Sequence, residues 1–252
     1  MREYRRLFID RSRFKSLIRR NPKLEIVGSE KHYLRRVLRI NTGELVLIVD
    51  GYGNSWQTIL MEDDSLMFKS NLDSPFQVEF RKSPLICLAV SVPKRGFEEI
   101  LRMTCEIGVD IIQPLSSERN SNFAFYKSDR WNTILKDSVE LSERLWKPEL
   151  LKVVDYKDLI KSKPINSYRA LAVTRLDSLI DINSSLLALD RDISQIWIFI
   201  GPEGGWTDSE LQIAKDHKFD FVHLGGSILR TSTACVSAVQ SIESWRRITF
   251  QA

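Results

Sequence analysis

From residue 85 onward the chain alternates mostly apolar runs with helix-spaced segments, and this alternation constrains its fold more than any other feature. The runs are 85–92, 110–115, 170–174, 196–200 and 221–224. They lack the every-second-residue polarity of a strand with one wet face. Strands covered on both faces read this way, and they belong to parallel sheets flanked by helices. Between the runs, 95–107 carries Phe97, Ile100, Leu101 and Cys105 at helical spacing, with Gly108 as a stop. The segment 131–146 carries Trp131, Ile134, Leu135 and Val139 on one face and halts before Pro148. Helices are also expected over 207–215 and 232–246, the latter striped by Cys235, Ala238, Val239, Ile242 and Trp245. The expected class is α/β with a mostly parallel sheet.

Residues 1–80 have a different texture. Leu45-Val-Leu-Ile-Val49, the turn-rich Asp50-Gly51-Tyr-Gly53-Asn54 and the returning segment 56–61 predict a hairpin. A further strand is expected over 66–72. Segment 32–40 predicts a helix, with Tyr33, Leu34, Val37, Leu38 and Ile40 interleaved by Arg35, Arg36 and Arg39. A small β-barrel with one basic helix is the expected first domain, 1–80, and the α/β unit the second, 81–252. Breaker residues put the linker at 71–75 or at Lys82-Ser83-Pro84.

Charge separates the same two regions. The 252 residues hold 37 Lys+Arg against 33 Asp+Glu, but residues 1–40 alone hold 13 basic and four acidic side chains. That segment is +9 and the remainder −5. A basic end on an acidic body fits a polyanion partner as well as a solvated face. Arg5, Arg6, His32, Arg35, Arg36 and Arg39 in the first domain are candidate RNA contacts, with Arg119 and Arg144 in the second, where Lys94, Arg95, Arg119 and Arg144 all lie at expected element ends.

No apolar stretch approaches the roughly 18 residues of a membrane helix, and Met-Arg-Glu-Tyr-Arg-Arg opens no signal-peptide pattern. A soluble cytoplasmic protein is expected, without membrane association. Cys87, Cys105 and Cys235 are far apart and never in a Cys-x-x-Cys pair, and His217 and His223 show no ligand spacing, so no disulfide framework and no metal are expected.

Two glycine loops each follow an apolar run and open a helix. The first is Ile200-Gly201-Pro202-Glu203-Gly204-Gly205-Trp206-Thr207, where Thr207 and Glu210 form a capping box. The second is Leu224-Gly225-Gly226-Ser227-Ile228-Leu229-Arg230-Thr231-Ser232-Thr233-Ala234. Neither matches the dinucleotide or P-loop fingerprint, and each alone is equally an ordinary tight turn. In open α/β sheets, loops at the carboxyl ends of strands are where ligands bind.

Together, however, the two loops resemble the ribosomal RNA small-subunit methyltransferase E family, SPOUT-class enzymes that methylate uridine N3. Further matches run along the chain: Arg5-Arg6-Leu-Phe, His32-Tyr-Leu-Arg-Arg-Val-Leu-Arg39, Asp50-Gly51, Glu106-Ile-Gly108-Val-Asp110-x-Ile112-x-Pro114-Leu115 and Ser117-Glu118-Arg119. The resemblance implies a PUA-like β-barrel joined to a trefoil-knotted SPOUT domain, a homodimer, S-adenosyl-L-methionine as cofactor, and 16S ribosomal RNA of the small subunit as substrate. Carried over residue by residue, the cofactor cradle comprises Val173, Thr174, Ile200, Gly201, Pro202, Glu203, Gly204, Gly205, Leu224, Gly225, Ile228, Leu229, Arg230, Thr233 and Ala234. Arg230 is the expected stabiliser of charge on the uracil carbonyls and Glu203 the expected proton acceptor. Two positions depart from the family pattern: Ser232 stands where it has Glu, and Leu141 where it has Gln between Glu140 and Ser142, with Arg144 kept. These departures leave open an alternative, a non-catalytic RNA- or ribosome-binding protein with a degenerate cofactor pocket.

Overall fold

The computed structural model describes residues 4–120, 126–162, 166–176 and 179–250; Arg2 of the basic segment lies outside them. Contacts divide the chain into one unit of Met1–Arg81 with Lys136–Lys147 and a second of Lys82–Leu135 with Pro148–Ala252. The division falls after Arg81, at the second breaker segment, but residues 136–147 return to the first unit.

In the first unit a six-stranded sheet is built from β1 (Arg5–Phe8), β2 (Lys23–Glu25), β3 (Leu45–Val49), β4 (Asn54–Leu60), β5 (Ser65–Phe68) and β6 (Gln77–Val78). The strand order is β1-β3-β4-β5-β2, with β6 on β4. β1 runs parallel to β3 and the other pairings are antiparallel. The expected hairpin is β3–β4, in register Ile48 to Trp56. Its turn is closed by Asp50, whose Oδ1 accepts from the N–H of Tyr52 at 2.8 Å and of Asn54 at 3.1 Å. Gly53 has φ 90°, and a Cβ there would sit 2.3 Å from the Glu79 carbonyl oxygen, so only glycine fits. Leu7, Ile9, Leu34, Ile48, Leu60 and Leu66 are among the residues of this unit's core.

The helix expected over 32–40 begins earlier and changes pitch. α1 covers Gly28–His32, and a π turn follows at Tyr33–Val37. The wider turn points Leu34 fully inward. A 3-10 helix at Arg11–Ser16 and strands β1 and β2 escape sequence reading because they are too short to show a period. The strand expected over 66–72 stops at Phe68, where a turn closed by Ser74 N–H on the Asn71 carbonyl takes over.

The second unit is α/β as expected. Its elements are β7 (Leu85–Ser91), α2 (Phe97–Ile107), β8 (Ile111–Ser116), α3 (Ser128–Leu141, shared with the first unit), β9 (Glu149–Leu150), β10 (Val154–Asp155), α4 (Tyr156–Lys161) and β11 (Ser167–Ala172). There follow β12 (Ile180–Asp181), α5 (Ile182–Leu187), β13 (Gln195–Ile200), α6 (Asp208–Asp216), β14 (Asp220–His223) and α7 (Thr231–Phe250). The strand order is β10-β8-β7-β13-β11-β14-β12, with β9 on β8, and every pairing is parallel. α7 packs on α2, α5, β7 and β13, and α4 packs on α6. The strongest apolar runs are the most buried: five consecutive residues of β13, Ile196–Ile200, are covered on both faces. Helix α3 stops short of the expected 146 because Glu143 takes left-handed φ 59°.

One consequence of this order positions the site. β13, β11 and β14 are adjacent and parallel, so their carboxyl ends open side by side on one edge of the sheet.

Candidate active site

From those three ends leave Gly201–Thr207, the segment beginning at Val173 and Thr174, and the loop 224–230. Side chains tie them together. Thr231 Oγ1, at the start of α7, donates to the Gly201 carbonyl at 3.3 Å, so the two glycine loops meet. Trp206 Nε1 donates to the Ala172 carbonyl at 3.0 Å, which fastens the first loop to the end of β11. Val173 N–H donates to the Val222 carbonyl at 3.0 Å and carries the ladder one residue past β11.

The first loop folds over itself. Trp206 is buried and packs against Tyr156 with ring centroids 4.7 Å apart. A Cβ on Gly201 would come 3.0 Å from that indole, so the glycine makes room for its own loop. The turn at Glu203-Gly204 is closed by Gly205 N–H on the Pro202 carbonyl at 2.8 Å, with Gly205 at φ 72°.

Arg119 and Glu118, from the segment after β8, hold this loop from outside. Arg119 Nη1 donates to the Gly204 carbonyl. Expected from sequence to grip RNA, Arg119 is thus engaged on the glycine loop. Glu118 accepts from Ser209 Oγ at 2.7 Å and Thr207 Oγ1 at 2.8 Å and pairs with Lys157 at 3.0 Å. Those hydroxyls and the ammonium hold its carboxyl down at about 2, the Ser209 bond contributing most. The backbone N–H of Glu118 donates to Oε1 of buried Glu210 at 2.9 Å. The other oxygen of Glu210 accepts from Thr207 N–H at 2.9 Å, and Glu210 N–H donates to Thr207 Oγ1 at 3.2 Å. The predicted capping box therefore forms and is wired to the neighbouring segment. Glu118, Trp206 and Lys157 carry no role in the sequence reading, because nothing local marks a carboxylate that caps a helix 90 residues away.

Glu203 and Arg230 are both exposed, and Ser232 is half-buried in the first turn of α7. Ile228 is 62% exposed, an unusual state for isoleucine, while Leu224 and Leu229 are half-buried. Thr231 and Ala234 are buried and Thr233 is exposed. Gly225 has φ 139° and a Cβ there would meet nothing within 4 Å, so space is open above the second loop. His223 Nδ1 accepts from Gly225 N–H at 3.3 Å. His217 Nδ1 lies 2.9 Å from the Ile213 carbonyl, a helix-end role.

In the first unit Arg35 is engaged internally, donating to Asp64 at 3.0 Å and to the Ile40 and Met61 carbonyls. Arg6 pairs with Glu143 at 2.9 Å. Arg5, His32, Arg36 and Arg39 are exposed, and Arg144 is half-buried. Among the described residues no group of three or more His, Cys, Asp or Glu is placed to hold a metal ion, and no helix is long and apolar enough to cross a membrane.

The family model of an RNA methyltransferase domain matches residues 81–243. The ribosomal RNA small subunit methyltransferase E of Synechocystis sp. is 34% identical over 223 residues, 87% of this chain and 72% of that protein. The Bacillus subtilis protein of the same name is 26% identical over 239 residues, 90% and 92% of the two chains. Among solved structures, the Neisseria gonorrhoeae protein of that name, bound to S-adenosyl methionine, superposes with a TM-score of 0.79 at 24% identity, covering 96% of this chain and 98% of that one. The fold is shared with that structure, and by the domain match and the Synechocystis likeness the chain belongs to the ribosomal RNA small subunit methyltransferase E family.

Proposed function

We propose that the protein methylates N3 of a uridine in 16S ribosomal RNA of the small subunit, with S-adenosyl-L-methionine as methyl donor. The observation that carries this is the bond from Thr231 to the Gly201 carbonyl, which joins the two glycine loops at the carboxyl edge of β13, β11 and β14. The residues there fit the donor. Bare backbone in 201–205 offers N–H and C=O groups to a purine edge, exposed Ile228 offers an apolar cover, and the space above Gly225 is open. When bound, the donor supplies an electrophilic methyl on a sulfonium. The protein's part is orientation and charge management. Arg230 would donate to a uracil carbonyl oxygen, where negative charge gathers as N3 gives up its proton. Glu203 would receive that proton. Ser232 cannot replace a carboxylate as base near neutral pH.

The finer reading of the fold is that the second unit is knotted and the first is a PUA-like RNA-binding barrel. The position of β14 supports the knot: the last strand in sequence pairs between β11 and β12, both laid down earlier. Exposed Leu187 on α5 and Ile248 on α7, helices that pack together, support a homodimer. The family's ribosomal substrate supports a cytoplasmic location.

The test uses methyl-labelled donor with small subunits lacking the modification. Label on a single uridine is the expected result, and Arg230→Ala should lower the rate at saturating donor by about a hundredfold or more. Donor binding with no label on any uridine would instead favour the non-catalytic binder that Ser232 and Leu141 leave open.

A further inference from the structure

The first unit carries a groove of about 690 Å³ that the methyl-transfer reading does not use. Its floor is aromatic. Trp56 and Phe14 pack with ring centroids 5.0 Å apart, and Trp56 is only 6% exposed. Its wall is Tyr52, 52% exposed, with the Arg11 guanidinium 5.2 Å from the ring centroid. Lys15 and Arg19 complete a basic rim.

The acids beside this rim are already engaged. Asp50 is buried and accepts from Tyr52, from the Asn54 backbone and from Asn54 Nδ2. Asp73 lies 3.3 Å from Arg19. The 3-10 helix also sorts its own cations: Arg13 turns to Glu30 and the Glu25 carbonyl, whereas Arg11 and Lys15 line the groove and join no ion pair among the described residues. A concave surface with an exposed ring, an aromatic floor and unpaired cations suits a π-faced anion. A strand of unpaired nucleotides has that chemistry, stacking bases on the rings and setting phosphates against the cations. A closed duplex does not, because its bases are already stacked.

We propose that this groove holds one or two unpaired nucleotides of the RNA substrate, with a base on the face of Tyr52 and phosphates met by Arg11 and Lys15. The proposal rests on the reading of the protein as an RNA methyltransferase and adds to it a second RNA contact, made by residues outside the conspicuous basic run at Arg35-Arg36.

Anisotropy of a short fluorescein-labelled oligouridine on the full-length chain tests it. Tyr52→Ala should weaken binding about tenfold, in the range one lost base–ring stack accounts for, and Tyr52→Phe, which keeps the ring, should restore it. Arg11→Gln with Lys15→Gln should flatten the log–log salt dependence by about 0.7 for each phosphate no longer neutralised, and this variant decides the matter if Tyr52→Ala fails to fold. Unchanged affinity and salt slope in these variants, failure of phenylalanine to rescue, or equal displacement of the probe by a short RNA duplex would each overturn the proposal. Methyl transfer to small subunits is scored separately. Subunits labelled normally while Tyr52→Ala binds oligouridine like the parent defeat the groove alone. Oligouridine held through Tyr52 with no subunit labelled defeats the methyl-transfer reading alone.

Discussion

Arg35 and Arg36 are adjacent in sequence and do different work. Arg35 ties the π turn to the β4–β5 turn through Asp64 and the Met61 carbonyl, while Arg36 stands in solvent. Arg35→Ala should lower the unfolding free energy by about 1–3 kcal/mol in a urea titration. Arg36→Ala should stay within about 0.5 kcal/mol of the parent and weaken RNA binding instead; identical effects on both readouts would refute the distinction. Periodicity could not separate them, because the partner of Arg35 lies in a turn 29 residues downstream. Gly201→Ala should push the Trp206 indole aside and break its bond to Ala172, reducing donor affinity about tenfold, roughly the worth of one such bond, as read by calorimetry. Glu140 lies half-buried on α3. Burial, with Asp137 adding repulsion, pushes its carboxyl up to about 7 even though the Phe8 N–H bonds to it at 2.5 Å. Its pKa is raised on folding, so the folded state loses stability as pH rises from the ordinary carboxylate range through about 7. Glu140→Gln should therefore melt higher than the parent at about pH 8. The gain should reach up to about 3 kcal/mol at 1.4 kcal/mol per pKa unit and vanish below about pH 4. A constant difference across that range would assign the effect to packing rather than ionisation.

At the scale of elements, local sequence rules predicted the strands and helices that obey one period from end to end. β7, β13, α2 and α6 all lie close to where apolar runs, Gly108 and the Thr207–Glu210 pair place them. The rules failed where an element is brief or an outside contact sets its end. β9, β10 and β12 have two residues each and exist only because a longer neighbour pairs with them. The start of α6 shows both regimes. Its capping box is written in four consecutive residues, but the Glu118 latch that shares Thr207 comes from the other side of the sheet order. Removing Thr207 thus loses a cap and a latch together. Thr207→Ala should cost about 1–2 kcal/mol in denaturant unfolding, the upper half of the range for an N-cap, and Thr207→Ser should recover most of it.

For the whole molecule, each unit has a core of its own, and in the second a buried ionic knot fastens the last helix to the sheet. Arg246 on α7 is 1% exposed. It donates to Asp110 at 2.6 Å, to Glu243 at 2.8 Å, and to the Pro84 and Gly108 carbonyls at 3.0 Å and 3.2 Å. Asp110 in turn accepts from Ile86 N–H in β7. Breaking one partner of such a buried set strands the others without solvent. Arg246→Met should therefore destabilise the protein by about 3–5 kcal/mol, seen as a shifted urea midpoint with an unchanged slope; a loss below about 1 kcal/mol would mean that water reaches the site.

The amino-acid sequence alone determined the α/β class, the family and the two glycine loops, because these depend on residue types a few positions apart: periodicity, caps and motif spacing are local properties. Tertiary structure decided which charges are available and which loops meet. Arg35, Arg119 and Glu118 found their partners through strand order, and no spacing along the chain encodes that a threonine opening the last helix will reach the carbonyl of a glycine 30 residues before it. Such bonds form only when parallel strands bring distant carboxyl ends to one edge, which is where the candidate site lies.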